Sequence, residues 1–77
     1  QTTIRFSLQK PRRVKLAIYN ILGQRIRTLT NENYSQGFHK VIWNGRNDQG
    51  IGVASGVYIY RLKAGNRITT KKCVLLR

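Results

Sequence analysis

Apolar and polar residues alternate along most of this chain with a period of two. Ile4, Phe6 and Leu8 are separated by Arg5 and Ser7, and Val14, Leu16 and Ile18 by Lys15 and Ala17. His39, Val41 and Trp43 are separated by Lys40 and Ile42. Further on, Val57, Ile59 and Arg61 share one parity, and Tyr58, Tyr60 and Leu62 share the other. Successive side chains of a strand point to opposite faces. The pattern is therefore that of half-buried antiparallel strands, one face on a core and one toward water. Turn chemistry separates the runs: Lys10-Pro11-Arg12, Leu22-Gly23, Gln36-Gly37, Asn44-Gly45, Gln49-Gly50, Ser55-Gly56 and Ala64-Gly65-Asn66. Strands are predicted near residues 3–9, 13–20, 24–30, 38–43, 51–54, 57–63 and 67–76. About seven short strands at this spacing argue for an all-β, immunoglobulin-like antiparallel β-sandwich. No helix of useful length is predicted, and residues 1–77 read as a single domain.

The same alternation assigns faces. Trp43, Ile18, Phe6 and Val41 are expected in the core, with Trp43 as its central aromatic. Ala64-Gly65-Asn66-Arg67 is the clearest hairpin, joining the last two strands. In the last strand Ile68, Thr70, Lys72 and Val74 fall on one side and Thr69, Lys71, Cys73 and Leu75 on the other. Val74-Leu75-Leu76 is apolar on both sides, so the end of the chain is expected to lie in a sheet.

Composition narrows the functional classes. A chain of 77 residues buries only about 60% of the surface its unfolded form exposes. Methionine is absent, and the abrupt start QTTIRF reads as part of a longer protein. Neither a signal-peptide core nor an apolar run long enough to span a bilayer is present. The single cysteine, Cys73, excludes an internal disulfide and is expected as a small buried apolar residue. Fifteen Lys and Arg against two Asp and Glu give a net charge of +13, which directs attention to anionic partners.

Candidate chemistry is sparse. The two carboxylates, Glu32 and Asp48, fall in separate predicted turns, Glu32 at a hairpin tip, so paired-carboxylate catalysis is not expected. His39 has no Cys, Asp or Glu near it in sequence to complete a metal site or a triad. The loop WNGRNDQG offers Asn44, Asn47 and Asp48 as oxygen donors. A calcium site normally gathers more carboxylates, so a turn whose Asn and Asp side chains bond their own backbone is the expectation. No enzyme activity, metal or cofactor is expected. Arg5, Lys15, Arg25, Arg27, Lys40, Arg61, Lys63 and Lys71 should project outward, as a solvated sheet surface and as contacts for an anionic surface. Tyr19, Tyr34, Tyr58 and Tyr60 could stack beside such a patch, yet no nucleic-acid-binding motif accompanies them. Sequence-specific nucleic-acid recognition is not expected.

Four stretches together carry a resemblance: TTIRFSL, VKLAIYNILGQRIRTL, GFHKVIWNGRNDQGIGVASGVYIYRLKAG and KKCVLLR. In this order and spacing the chain resembles the type A C-terminal sorting domain of the type IX secretion system. It also shares part of its pattern with the related immunoglobulin-like domain of the flagellar hook-cap protein. The resemblance implies a module at the end of a larger secreted protein, periplasmic in transit and then at the outer-membrane surface or extracellular. It implies a translocon, a shuttle protein and a sortase as partners, with attachment of cargo to anionic lipopolysaccharide. The family's signal elements map onto Gly56, Val57, Tyr58 and Tyr60, and onto Lys71, Lys72, Val74, Leu75, Leu76 and Arg77. Asn44 and Asn47 stand where that family carries acidic residues, and Cys73 where methionine is common. A second expectation is a retained adhesion or assembly module. It would self-associate through edge strands or hold an anionic polysaccharide on its basic face. Non-specific nucleic-acid binding is a third.

Overall fold

The computed structural model describes residues 1–76; Arg77 lies outside the described residues. Six strands follow one another: β1 (Thr2–Leu8), β2 (Arg12–Tyr19), β3 (Arg25–Tyr34), β4 (Gly37–Trp43), β5 (Gly56–Ala64) and β6 (Arg67–Leu75). They form two antiparallel sheets, β1-β4 and β3-β2-β5-β6, in the architecture of an immunoglobulin-like β-sandwich. The chain changes sheet across residues 9–11, 35–36 and 44–55, and makes hairpins within the larger sheet.

The period-two pattern is realised on the inner faces. Ile4, Leu16, Ile18, Trp43, Tyr58 and Leu75 form one buried cluster, and Phe6, Leu8 and Val14 a second. Val41 and Leu62 are half-buried and pack against both. Trp43 is fully buried, with its indole N–H donating to the Arg46 carbonyl at 2.9 Å. Tyr58 meets it edge-on at 5.0 Å and donates its hydroxyl to the Ala54 carbonyl at 2.6 Å. Large aromatics of this kind are stable inside only when their polar tips find acceptors, and both acceptors here belong to the 44–55 loop.

That loop accounts for the first departure from the sequence-based expectation. Residues 51–54 form no strand; a single bridge, Arg46 to Gly52, is all the ladder present. Asn47 Oδ1 accepts from the Gln49 and Ile51 N–H groups, both at 3.0 Å, so Ile51 spends its donor inside a turn. The Asp48 N–H donates to the Ile26 carbonyl at 3.0 Å and its Oδ1 accepts from the Thr28 N–H at 3.1 Å. The loop, in place of the strand expected over 51–54, thus caps the core and lies on the β3 edge.

β3 is the second departure. It runs on to Tyr34, so Glu32 is not a hairpin tip but a strand residue opposite Val14. Two irregularities in the β2–β3 register, at Leu16/Ala17 and Ile18/Tyr19, bring Ile26 and Leu29 to the core although they are three residues apart. At its far end Tyr34 meets Phe6 at 5.3 Å and His39 at 4.9 Å, which holds the strand extended past Thr30. His39 sits in this cluster with its Nε2 2.7 Å from the Ser35 carbonyl.

The last hairpin closes through Gly65 and Asn66 between the paired residues Ala64 and Arg67. Gly65 has φ +60° and Asn66 a negative φ, the pattern of a II′ turn, whose first central position favours glycine.

Candidate functional site: the last hairpin and the cationic face

The positions that the resemblance assigns to a signal do not form one surface. Gly56 opens β5 at φ +153°, a conformation that side chains rarely adopt. Val57 and Val74 face each other across β5 and β6 on the outer face, 46% and 55% exposed. Tyr58 and Leu75 are buried in the core and offer no contact surface. Tyr60, opposite Lys71, is half-buried against the same core. Lys71 and Lys72, neighbours in sequence, take opposite faces. Lys71 therefore has the inward parity of Cys73 and Leu75 and not the outward one expected, and it remains exposed because β6 is an edge strand. Leu76 is exposed just beyond β6, and Arg77 lies outside the described residues.

The basic residues also divide. Arg5 and Lys40 pair across β1 and β4 on the outer face of the small sheet, beside Phe38, which is 92% exposed. Arg27 is half-buried and donates to Asn44 Oδ1 at 3.3 Å. Arg25, opposite Tyr19, lies 3.7 Å from Asp48. Lys15, Arg61 and Lys63 come together on the outer face of the large sheet. Lys15 is directly opposite Lys63, and Arg61 is directly opposite Ala17. Ala17 is only 2% exposed although it faces outward, because it is the small residue over which these longer side chains close. The result is a concavity of about 230 Å³ floored by Ala17 and lined by Lys15, Arg61, Lys63, Tyr19 and Ile68. None of the three cations has a hydrogen-bond or ion-pair partner among the described residues. The alternation marks these residues as outward; their convergence on one alanine follows only from the β2–β5 register.

The tyrosines expected to stack beside the basic residues are mostly turned inward. Tyr58 and Tyr60 pack on the main cluster and Tyr34 on Phe6 and His39, leaving Tyr19 on the cationic face. On the inner side of the same sheet, burial pushes the Cys73 thiol above its ordinary value. The Tyr60 phenol is raised as well, by burial first and by Cys73 second. Among the described residues no group of three His, Cys, Asp or Glu is placed to hold a metal ion, and no helix is long and apolar enough to cross a membrane. Phe38 escaped the sequence reading; its only signal was an aromatic residue on the outward parity of a strand.

No curated protein and no solved structure gives a significant match to the chain. The family model of the FlgD Ig-like domain matches residues 1–67, which takes in β1 to β5 and ends at the first residue of β6. The two-sheet sandwich and this match over most of the chain agree: the protein belongs to the FlgD Ig-like domain family.

Proposed function

We propose that this chain is a non-catalytic C-terminal sorting module that directs an attached cargo protein through the outer membrane to the cell surface. The observation that carries the reading is the position of β6. It pairs with β5 on one side and, among the described residues, with no strand on the other. Thr2 Oγ1 donates to the Val74 carbonyl at 2.9 Å there, and the rest of this edge carries no ladder, so the segment resembling a sorting signal is an edge that a second chain can extend. Val57, Val74 and Leu76 add exposed apolar side chains, and Lys71 and Lys72 place a positive charge on each face of the strand. Tyr58 and Leu75 act indirectly, by holding the hairpin on the core. Mass spectrometry of the mature full-length protein recovered from the cell surface tests this. Loss of residues 1–77 from the mature form is expected, and their retention would contradict a removable signal.

A second reading, a retained adhesion or assembly module, is favoured by a different observation. Lys15, Arg61 and Lys63 converge with no partner among the described residues, which neither folding nor a strand-edge signal requires. Retention in the mature protein and contacts weakened by salt are its expected signatures.

A further inference from the structure

The Ala17 concavity combines three features that the fold itself does not use. Lys15 and Lys63 are directly opposite across β2 and β5, an arrangement that is destabilising for like charges. Arg61 lies two residues from Lys63 on the same face, about 7 Å along the strand. Lys72, two ladder positions further on through its pairing with Ile59, continues the positive stripe toward β6. The two carboxylates are elsewhere: Asp48 is engaged by Arg25 and the Thr28 N–H, and Glu32 is opposite Val14. The cleft is narrow, floored by one alanine, and flanked by a single aromatic ring, Tyr19.

We infer that this cleft binds an anionic polysaccharide, with one sugar ring against Tyr19 and its acidic substituents between Lys15, Lys63 and Arg61. The assignment rests on the retained reading above. Charge complementarity sets the sign of the ligand, and shape sets its class. At about 230 Å³ the cleft falls below the usual volume for a whole small ligand and suits a segment of a linear chain that runs on past it. Single-stranded nucleic acid would call for several stacking rings, and Tyr34, Tyr58 and Tyr60 are packed inward. A flat lipid surface would not use a concavity whose floor is sealed by its own neighbours. Arg supplies a planar fork for a carboxylate or sulfate, while the paired lysines act as point charges.

The test is a titration of the 77-residue chain with a sulfated, carboxylated glycan such as a heparin octasaccharide, read by amide chemical shifts and by calorimetry. Lys15→Ala/Lys63→Ala is compared with Arg5→Ala/Lys40→Ala, which removes the same charge from the other sheet. The expected result is shift changes centred on Ala17, Tyr19 and Arg61, and affinity about tenfold lower in the first variant but less than about threefold lower in the second. Thermal melts confirm that both variants fold, and the amide map of the unaltered chain is informative even where one does not. Equal losses in both variants would overturn the cleft in favour of net charge alone. Tighter binding of a single-stranded oligonucleotide, or of phosphatidylserine vesicles, at matched charge would overturn the assigned class. Binding reads the cleft directly, whereas the mature C-terminus reads retention, so failure of one is distinguishable from failure of the other.

Discussion

The 44–55 loop and the outer face of β2 and β5 are both polar, and they treat their polar groups in opposite ways. In the loop each Asn and Asp side chain has a job inside the chain. Asn44 accepts from the Arg46 N–H and from Arg27, Asn47 from two backbone N–H groups, and Asp48 from Thr28. Even Arg46 is engaged, through the Gly50 carbonyl at 2.9 Å. On the sheet face Lys15, Arg61 and Lys63 have no such partners among the described residues and sit close enough to repel. The difference separates polar residues that specify the fold from polar residues left over for something else. The loop is the turn expected from its Asn and Asp residues, whose side-chain oxygens accept backbone hydrogens.

Substitutions break or sharpen this contrast. The largest effect belongs to the residue that the loop caps: Trp43→Ala should cost about 3–5 kcal/mol by urea denaturation followed by circular dichroism. That is much of the stability of so small a domain, about 5 kcal/mol or little more. Within the loop, Asn47→Ala removes acceptors from two backbone donors and should cost about 1–2 kcal/mol, with Asn47→Asp recovering most of it. Equal stability of the alanine variant would mean that the loop is not what seals the core.

Beneath the cationic face, Cys73 and Tyr60 give a pH-dependent check. Both have raised values in the fold, so the folded chain holds its protons while the unfolded chain releases them. Their contribution is fully present below pH 9.0, the ordinary thiol value, and is lost as pH rises through and beyond it. Stability should therefore fall on the alkaline side, and Cys73→Ser should reduce the early part of that fall. Alkylation of Cys73 at pH 8 should be slower in the folded chain than in urea, because burial disfavours the thiolate.

Much of the sandwich was legible in the sequence, because alternation is a direct record of which face is buried. Ile4, Phe6, Leu16, Ile18 and Trp43 all lie inside on the parity that the alternation assigns. The misreadings have physical causes. Residues 51–54 carry a strand-like Ile51 and Val53, yet a side-chain oxygen four residues back captured the Ile51 N–H before a ladder could. Glu32 read as a tip because Asn-Glu-Asn is turn-rich, whereas the aromatic contact at Tyr34 extends the strand beyond it. The cationic residues were legible one by one as outward. Their grouping was not, since Lys15 and Lys63 are forty-eight positions apart in sequence and meet only through register.

The most direct test of the contrast is also the smallest in energy: urea denaturation of the unaltered chain and of Lys15→Ala/Lys63→Ala at low and high salt. If the paired lysines serve no structural purpose, the variant at low salt is as stable as the unaltered chain or a few tenths of a kcal/mol more stable. Its gain in stability on adding salt is then also smaller. A variant less stable by about 1 kcal/mol or more at low salt would show that these lysines hold the sheet together, and would contradict the account.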